Sequence, residues 1–142
     1  MNKYFSNNFS VINLYKKPST KSEVVTQMIY GENFSIRKKT KKWLKIKIKE
    51  DNYKGYIKKK KFKPAVFPTH KVSVLKSNIY KFPYKSKIID KLTFGSKMKI
   101  LEKKSKYFKF EKGWIDKKDI KPIKFRDKSL FKKILIFKNV KY

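Results

Sequence analysis

Cysteine is absent from the 142 residues. That excludes disulfides, thiolate metal sites and a cysteine nucleophile from this chain. Histidine occurs once, at His70, and the ten acidic residues are scattered without ligand spacing, so neither a metal site nor a cofactor is expected. Arginine is nearly absent: of 41 basic residues only Arg37 and Arg126 are not lysine. Arginine suits bidentate recognition of phosphate and guanine, whereas lysine is a hydrated point charge. There is no apolar run long enough for a membrane span. Met1 to Ser10 hold no continuous apolar stretch, so no secretory signal is visible. The cytoplasm or the cell envelope is the expected location.

What is abundant is lysine, and the formal net charge is +31. Such a balance first suggests nucleic acid or another anionic surface. Two readings stay open. Lys, Ile, Phe, Tyr and Asn all have A/T-rich codons, so lysine can fill solvated positions by genomic drift. Alternatively the charge is selected for a partner. The lysine runs at 38–42 and 58–61 divide the same way, into solvated loops or contacts with an anionic polymer.

The chain repeats itself. Asn13-Leu14-Tyr15-Lys16-Lys17-Pro18 returns as Asn78-Ile79-Tyr80-Lys81-Phe82-Pro83, 65 positions later. Val24, Met28, Gly31, Phe34 and Ile36 return as Ile88, Leu92, Gly95, Met98 and Ile100, offset by 64. Gly55-Tyr56-Ile57 returns as Gly113-Trp114-Ile115, offset by 58. Two copies at so long a period mean tandem small domains, not a solenoid. Units of about 50–60 residues bury only ~60% of their unfolded surface, so a permanent contact between them is expected.

The periodicity within each copy is that of strands. Trp43-Leu44-Lys45-Ile46-Lys47-Ile48 alternates, placing Leu44, Ile46 and Ile48 on one face and Trp43 on the other. Further strands are expected at 25–30, at Phe34 and Ile36, and at 53–57 after a hairpin loop at Glu50-Asp51-Asn52. The second copy repeats the plan at 78–80, 89–94, 98–101, 108–110 and 113–115. Short strands, tight turns and no helix make each copy all-β, a small closed or half-closed barrel. Pro64 and Pro68 stiffen the segment joining the copies. The tail differs: Leu130, Phe131, Ile134, Leu135 and Phe137 fall at helical spacing, with Asp127 or Ser129 as cap. Such a helix either folds back on the second copy or begins a further domain.

The opening Asn-Leu-Tyr-Lys-Lys-Pro-Ser, the Tyr30-Gly31-Glu32 turn and the closing Gly-aromatic-Ile before Phe62 or Ile120 together resemble bacterial SH3 (SH3b) domains. Tandem copies, the Pro-Thr-His-Lys-Val segment at 68–72 and a helix running to Lys141-Tyr142 resemble the N-terminal part of NlpC-type cell-wall cysteine peptidases. That family cleaves γ-D-glutamyl–diamino acid bonds in peptidoglycan peptides. The resemblance implies SH3-like β-barrels at 9–66 and 72–123, a Pro-rich connector at 67–71, and a helical tail at 124–142 as the stub of a missing peptidase domain. It implies a module that recognises peptidoglycan stem peptides, partnered by a peptidase domain in cis or in trans, and itself no enzyme. No sequence-specific nucleic acid is expected. A rival reading is a basic barrel protein binding nucleic-acid phosphates non-specifically; a third is the remnant of a truncated gene.

The candidate ligand-binding residues are aromatic. Tyr15, Trp43 and Tyr56 form the set in the first copy, and Tyr80, Tyr107 and Trp114 the set in the second; flat amphipathic rings give contact area at low entropy cost. Tyr56 and Trp114 can equally be barrel-closing core residues. By matching motif, Tyr15 and the loop from Lys16 to Ser22 correspond to positions that shape the substrate entrance in the resembled peptidases. No catalytic residue is assigned, and His70 reads as a residue of the connector.

Overall fold

The computed structural model describes residues 3–84 and 86–123. The helical tail expected over 124–142 lies outside the described residues. The first copy contributes strands β1 (Tyr4–Ser6), β2 (Val11–Tyr15), β3 (Val24–Ile29), β4 (Asn33–Lys39), β5 (Trp43–Ile48), β6 (Lys54–Lys58) and β7 (Lys63–Pro64). They form one sheet in the order β3-β2-β6-β5-β4-β1-β7. The alternation in β5 is realised: Leu44, Ile46 and Ile48 are buried, and the residues between them are half-exposed. These join Leu14, Met28, Phe34 and Ile57 in one apolar cluster. Phe62, just ahead of β7, packs edge-on to Phe34 of β4 with ring centroids 4.9 Å apart. One sheet thus bends over a single core.

The second copy contributes β8 (His70–Val72), β9 (Lys76–Tyr80), β10 (Ile88–Thr93), β11 (Lys97–Met98), β12 (Glu102–Lys104), β13 (Tyr107–Phe110), β14 (Gly113–Asp116) and β15 (Ile120–Pro122), with a 3-10 turn at Lys117–Asp119. Its strands fall into a five-stranded sheet, β10-β9-β14-β13-β12, and a three-stranded sheet, β11-β8-β15. The same topology is present as in the first copy. β11 and β12 together stand where β4 stands, and the single strand expected at 98–101 is broken there. In β4 the corresponding place, between Ile36 and Lys38, is a bulge in the pairing with β5. A bulge bends a strand and raises its twist; in the second copy the bend has become an interruption. Phe108, Phe110, Ile79, Leu92 and Ile115 form the second core.

Both copies are all-β, but among the described residues no ladder closes a ring. β7 and β15 end in Pro64 and Pro122, which have no N–H to extend the pairing. The short β1 and β7, which the alternation pattern does not reveal, pair with each other and extend the first sheet through β4.

The expected contact between the copies is present and specific. Tyr30 follows β3 yet belongs to the core of the second copy. Its ring meets Phe110 edge-on at 5.6 Å, and its hydroxyl donates to Glu111 Oε2 at 2.7 Å. Burial, and then the Glu111 carboxylate, push the Tyr30 phenol well above its ordinary pKa. Gly31 follows with φ +85°, and a Cβ there would lie 2.1 Å from the Lys97 carbonyl oxygen, so only glycine fits the turn. Lys97 N–H donates to the Tyr30 carbonyl at 3.1 Å. Around this plug, Lys63 pairs with Glu111 at 3.1 Å, Lys97 with Glu50 at 3.8 Å, and Ser10 donates to Asp90 at 2.5 Å.

Two stability outcomes follow from these cores. Ile46→Ala should cost about 2–5 kcal/mol in denaturant unfolding, as truncation of a fully buried aliphatic does. In single-tryptophan variants that retain Trp43 or Trp114, both reporters should unfold at one denaturant midpoint. Tyr30→Ala should separate the two midpoints, because it removes the plug that couples the copies; midpoints that stay together would contradict the coupling role.

Candidate functional site

Tyr15, Trp43 and Tyr56 come together on the outer face of the first sheet, opposite the core. Tyr15 ends β2 and is the register partner of Tyr56 in β6. Trp43 opens β5, and its ring meets Tyr15 edge-on at 5.8 Å. All three are half-buried. Lys45 Nζ stands 5.9 Å from the Tyr56 ring centroid. The phase of β5 that buries Leu44 puts Trp43 outside, as the sequence predicts.

The loop that carries Lys16 is braced by its own bonds. Lys16 N–H donates to the Glu23 carbonyl at 2.8 Å, Lys17 N–H to Ser22 Oγ at 2.9 Å, and Ser22 N–H to the Ser19 carbonyl at 3.1 Å. On the facing turn, Thr40 Oγ1 accepts from Trp43 N–H at 3.0 Å. Between them lies an open groove lined by residues 18–20, Trp43 and the lysines 41, 42, 58 and 59. Its chemistry is an aromatic edge with cations around it.

The second copy builds the same constellation and covers it. Tyr80, Tyr107 and Trp114 form a cluster buried to within 9% of full exclusion. Lys109 Nζ lies 5.9 Å from the Trp114 ring, matching Lys45 over Tyr56. The cover is Tyr84, whose ring meets Tyr107 at 5.5 Å. Tyr84 takes a left-handed φ of +68° in a turn where Ser86 Oγ bridges the Phe82 N–H and carbonyl. At the repeat offset of 65 the first copy has Ser19. Ser19 carries no ring, so Tyr84 gives the second aromatic set a contact that the first lacks. Sequence reasoning missed Tyr84; its signal was an extra aromatic in the loop of only one copy.

His70 is not confined to a connector. It begins β8, pairs in register with Met98 and Pro122, and its ring meets Phe108 edge-on at 5.8 Å. The connector expected at 67–71 thus ends at Thr69, two residues short, where pairing of β8 with β11 and β15 begins.

Residues 14–62 match the family of the bacterial dipeptidyl-peptidase SH3 domain. Among solved structures, the chain is similar to an NlpC/P60 family protein from Bacillus cereus ATCC 10987, with 13% identity and a TM-score of 0.66. The alignment covers 87% of this chain and 57% of that one. The chain thus spans little more than half the length of that protein, and at this identity the likeness is one of fold. NlpC2 and NlpC1 of Trichomonas vaginalis match at 14% and 13% identity, over 85% and 88% of this chain and 48% and 46% of theirs, with TM-scores of 0.35 and 0.36. Those superpositions are too poor to carry an argument. No curated protein matches the chain. The resemblance read from the repeat holds: the matched segment is the first copy, and the fold is that of the NlpC/P60 neighbour.

The asymmetry between the two aromatic sets is measurable. Acrylamide should quench Trp43 fluorescence more strongly than Trp114 in single-tryptophan variants. Equal quenching of the two tryptophans would contradict the difference in burial between the two aromatic sets.

Proposed function

We propose that this chain is a non-catalytic recognition module of a cell-wall peptidase-like protein, with two SH3-like units built from β1–β7 and β8–β15, and that it binds peptidoglycan stem peptides. The observation that supports this most directly is the open Tyr15–Trp43 edge with its braced loop, inside the segment that matches a peptidase-associated SH3 domain. The rings give a peptide a flat apolar surface. The lysines around the groove meet its carboxylates, of which stem peptides carry several. The braced loop lowers the ordering cost of binding. The second copy, with its aromatics covered, serves as the rigid support that fixes the first through Tyr30.

The chemistry of cleavage in the resembled family needs a cysteine thiolate, a histidine beside it and an orienting group. These 142 residues contain no cysteine, and His70 lies against Phe108 in the second copy. Binding without turnover is the expected behaviour, with a peptidase domain in cis or in trans as the partner that cuts.

A rival reading is kept because of the +31 charge: non-specific binding of nucleic-acid phosphates. Salt separates the two, since phosphate binding falls steeply with ionic strength. The deciding experiment is titration of the chain with purified muropeptides by calorimetry, with mass spectrometry of the recovered peptide. Saturable binding is expected, weakened by Trp43→Ala by about 1–2 kcal/mol, as for a central aromatic anchor. The peptide should be recovered intact. Cleavage above a protein-free blank that survives His70→Ala, or binding indifferent to Trp43→Ala, would overturn the proposal.

A further inference from the structure

A second groove lies at the far end of the second copy and is independent of the aromatic face. Its walls are the turn between β12 and β13, the 3-10 turn at Lys117–Asp119, and β15. Lys103, Lys106, Lys117, Lys118 and Lys121 line it, with Asp116 as the one acidic residue. Backbone bonds bring the turns that carry these lysines together. Lys117 N–H donates to the Lys106 carbonyl at 2.8 Å, so the backbone ties the two turns together. Asp116 caps the 3-10 turn by accepting from Lys118 N–H at 3.0 Å, and its other oxygen is 3.9 Å from Lys118 Nζ. Lys103 Nζ is held 5.1 Å from the centroid of the Phe108 ring. Five lysines and one aspartate thus line the same groove.

We propose that this groove is a binding site for a linear, base-free phosphate polyanion. The residue types select that ligand class. Lysines are point charges that neutralise successive phosphates without demanding a planar bidentate partner. No arginine lines the groove to read a base edge. Its rings, Tyr107 and Phe108, are each only 7% exposed, so they offer no face on which nucleobases could stack. A peptide with one or two carboxylates would leave most of the charge unmatched, whereas a chain of phosphates places an anion at each step.

The only histidine of the chain is a built-in reporter of occupancy. His70 lines the same groove, against Phe108 of β13, with Nδ1 2.8 Å from Thr69 Oγ1. Of the strands around it, β11 and β15 present the uncharged Met98 and Pro122 in register, β13 presents Phe108, and β12 presents Lys103. Burial, and then Lys103, hold the imidazole below its ordinary pKa. A bound polyanion offsets the Lys103 charge and must raise it, so binding strengthens as pH falls through the range where His70 titrates.

The test is an NMR titration of the whole chain with short linear inorganic polyphosphate, following the single imidazole Cε1–H signal. The pKa of His70 should rise on saturation, and affinity should fall steeply with added salt. Lys106→Gln with Lys117→Gln should weaken binding by roughly tenfold. Lys38→Gln with Lys39→Gln, which removes the same charge from the first copy, should leave it nearly unchanged. Equal losses in the two double variants would mean attraction to net charge alone and would overturn the site. An unmoved His70 signal at saturation would overturn it as well. Tighter binding of an oligothymidylate with the same number of phosphates would replace a base-free ligand with nucleic acid.

Discussion

Tyr30, in the turn after β3, places its ring among Phe110, Ile79 and Leu92 of the other copy. Units of this size bury only ~60% of their unfolded surface, and an aromatic from the first copy completes the core of the second. The hydroxyl is not left unpaired there, because Glu111 accepts it. Gly31 is tied to the same event, since the close approach of the Lys97 carbonyl leaves no room for a side chain. Phe94 occupies the equivalent position in the second copy and is half-buried. The repeat is therefore symmetric in fold and asymmetric in what each turn residue reaches.

The same seam accounts for where the few carboxylates go. Glu50, Asp90 and Glu111 each make a contact that crosses from one copy to the other. In a chain with a formal charge of +31, such pairs lower the repulsion where the copies approach most closely. Exposed ion pairs add little singly, and these matter as a set around a buried anchor. Beside the 3-10 turn, backbone bonds bring several lysines to one groove.

The two aromatic faces share one plan and differ in exposure. Tyr15, Trp43 and Tyr56 correspond position by position to Tyr80, Tyr107 and Trp114, down to the lysine over the third ring. Tyr84, at the place where the first copy has Ser19, adds a ring against Tyr107 in the buried cluster of the second copy.

The strands, the two copies and the buried set Leu44, Ile46 and Ile48 were legible in the sequence, because period-two alternation over one buried face is a local property of consecutive residues. Trp43 was placed on the open face by the same phase argument. The break between β11 and β12 was not legible, since a bulge and an interruption carry the same residues and differ only in how the neighbouring strand is paired. β1 and β7 are too short to alternate, and pairing across some sixty residues brings them into being. His70 looked like connector because its partners Met98 and Pro122 are distant in sequence. That Tyr30 belongs to the neighbouring core, and that Tyr84 adds a ring to one aromatic set where Ser19 adds none to the other, only the tertiary structure decided. A residue's type announces that it can be buried, and the meeting of distant segments determines against what.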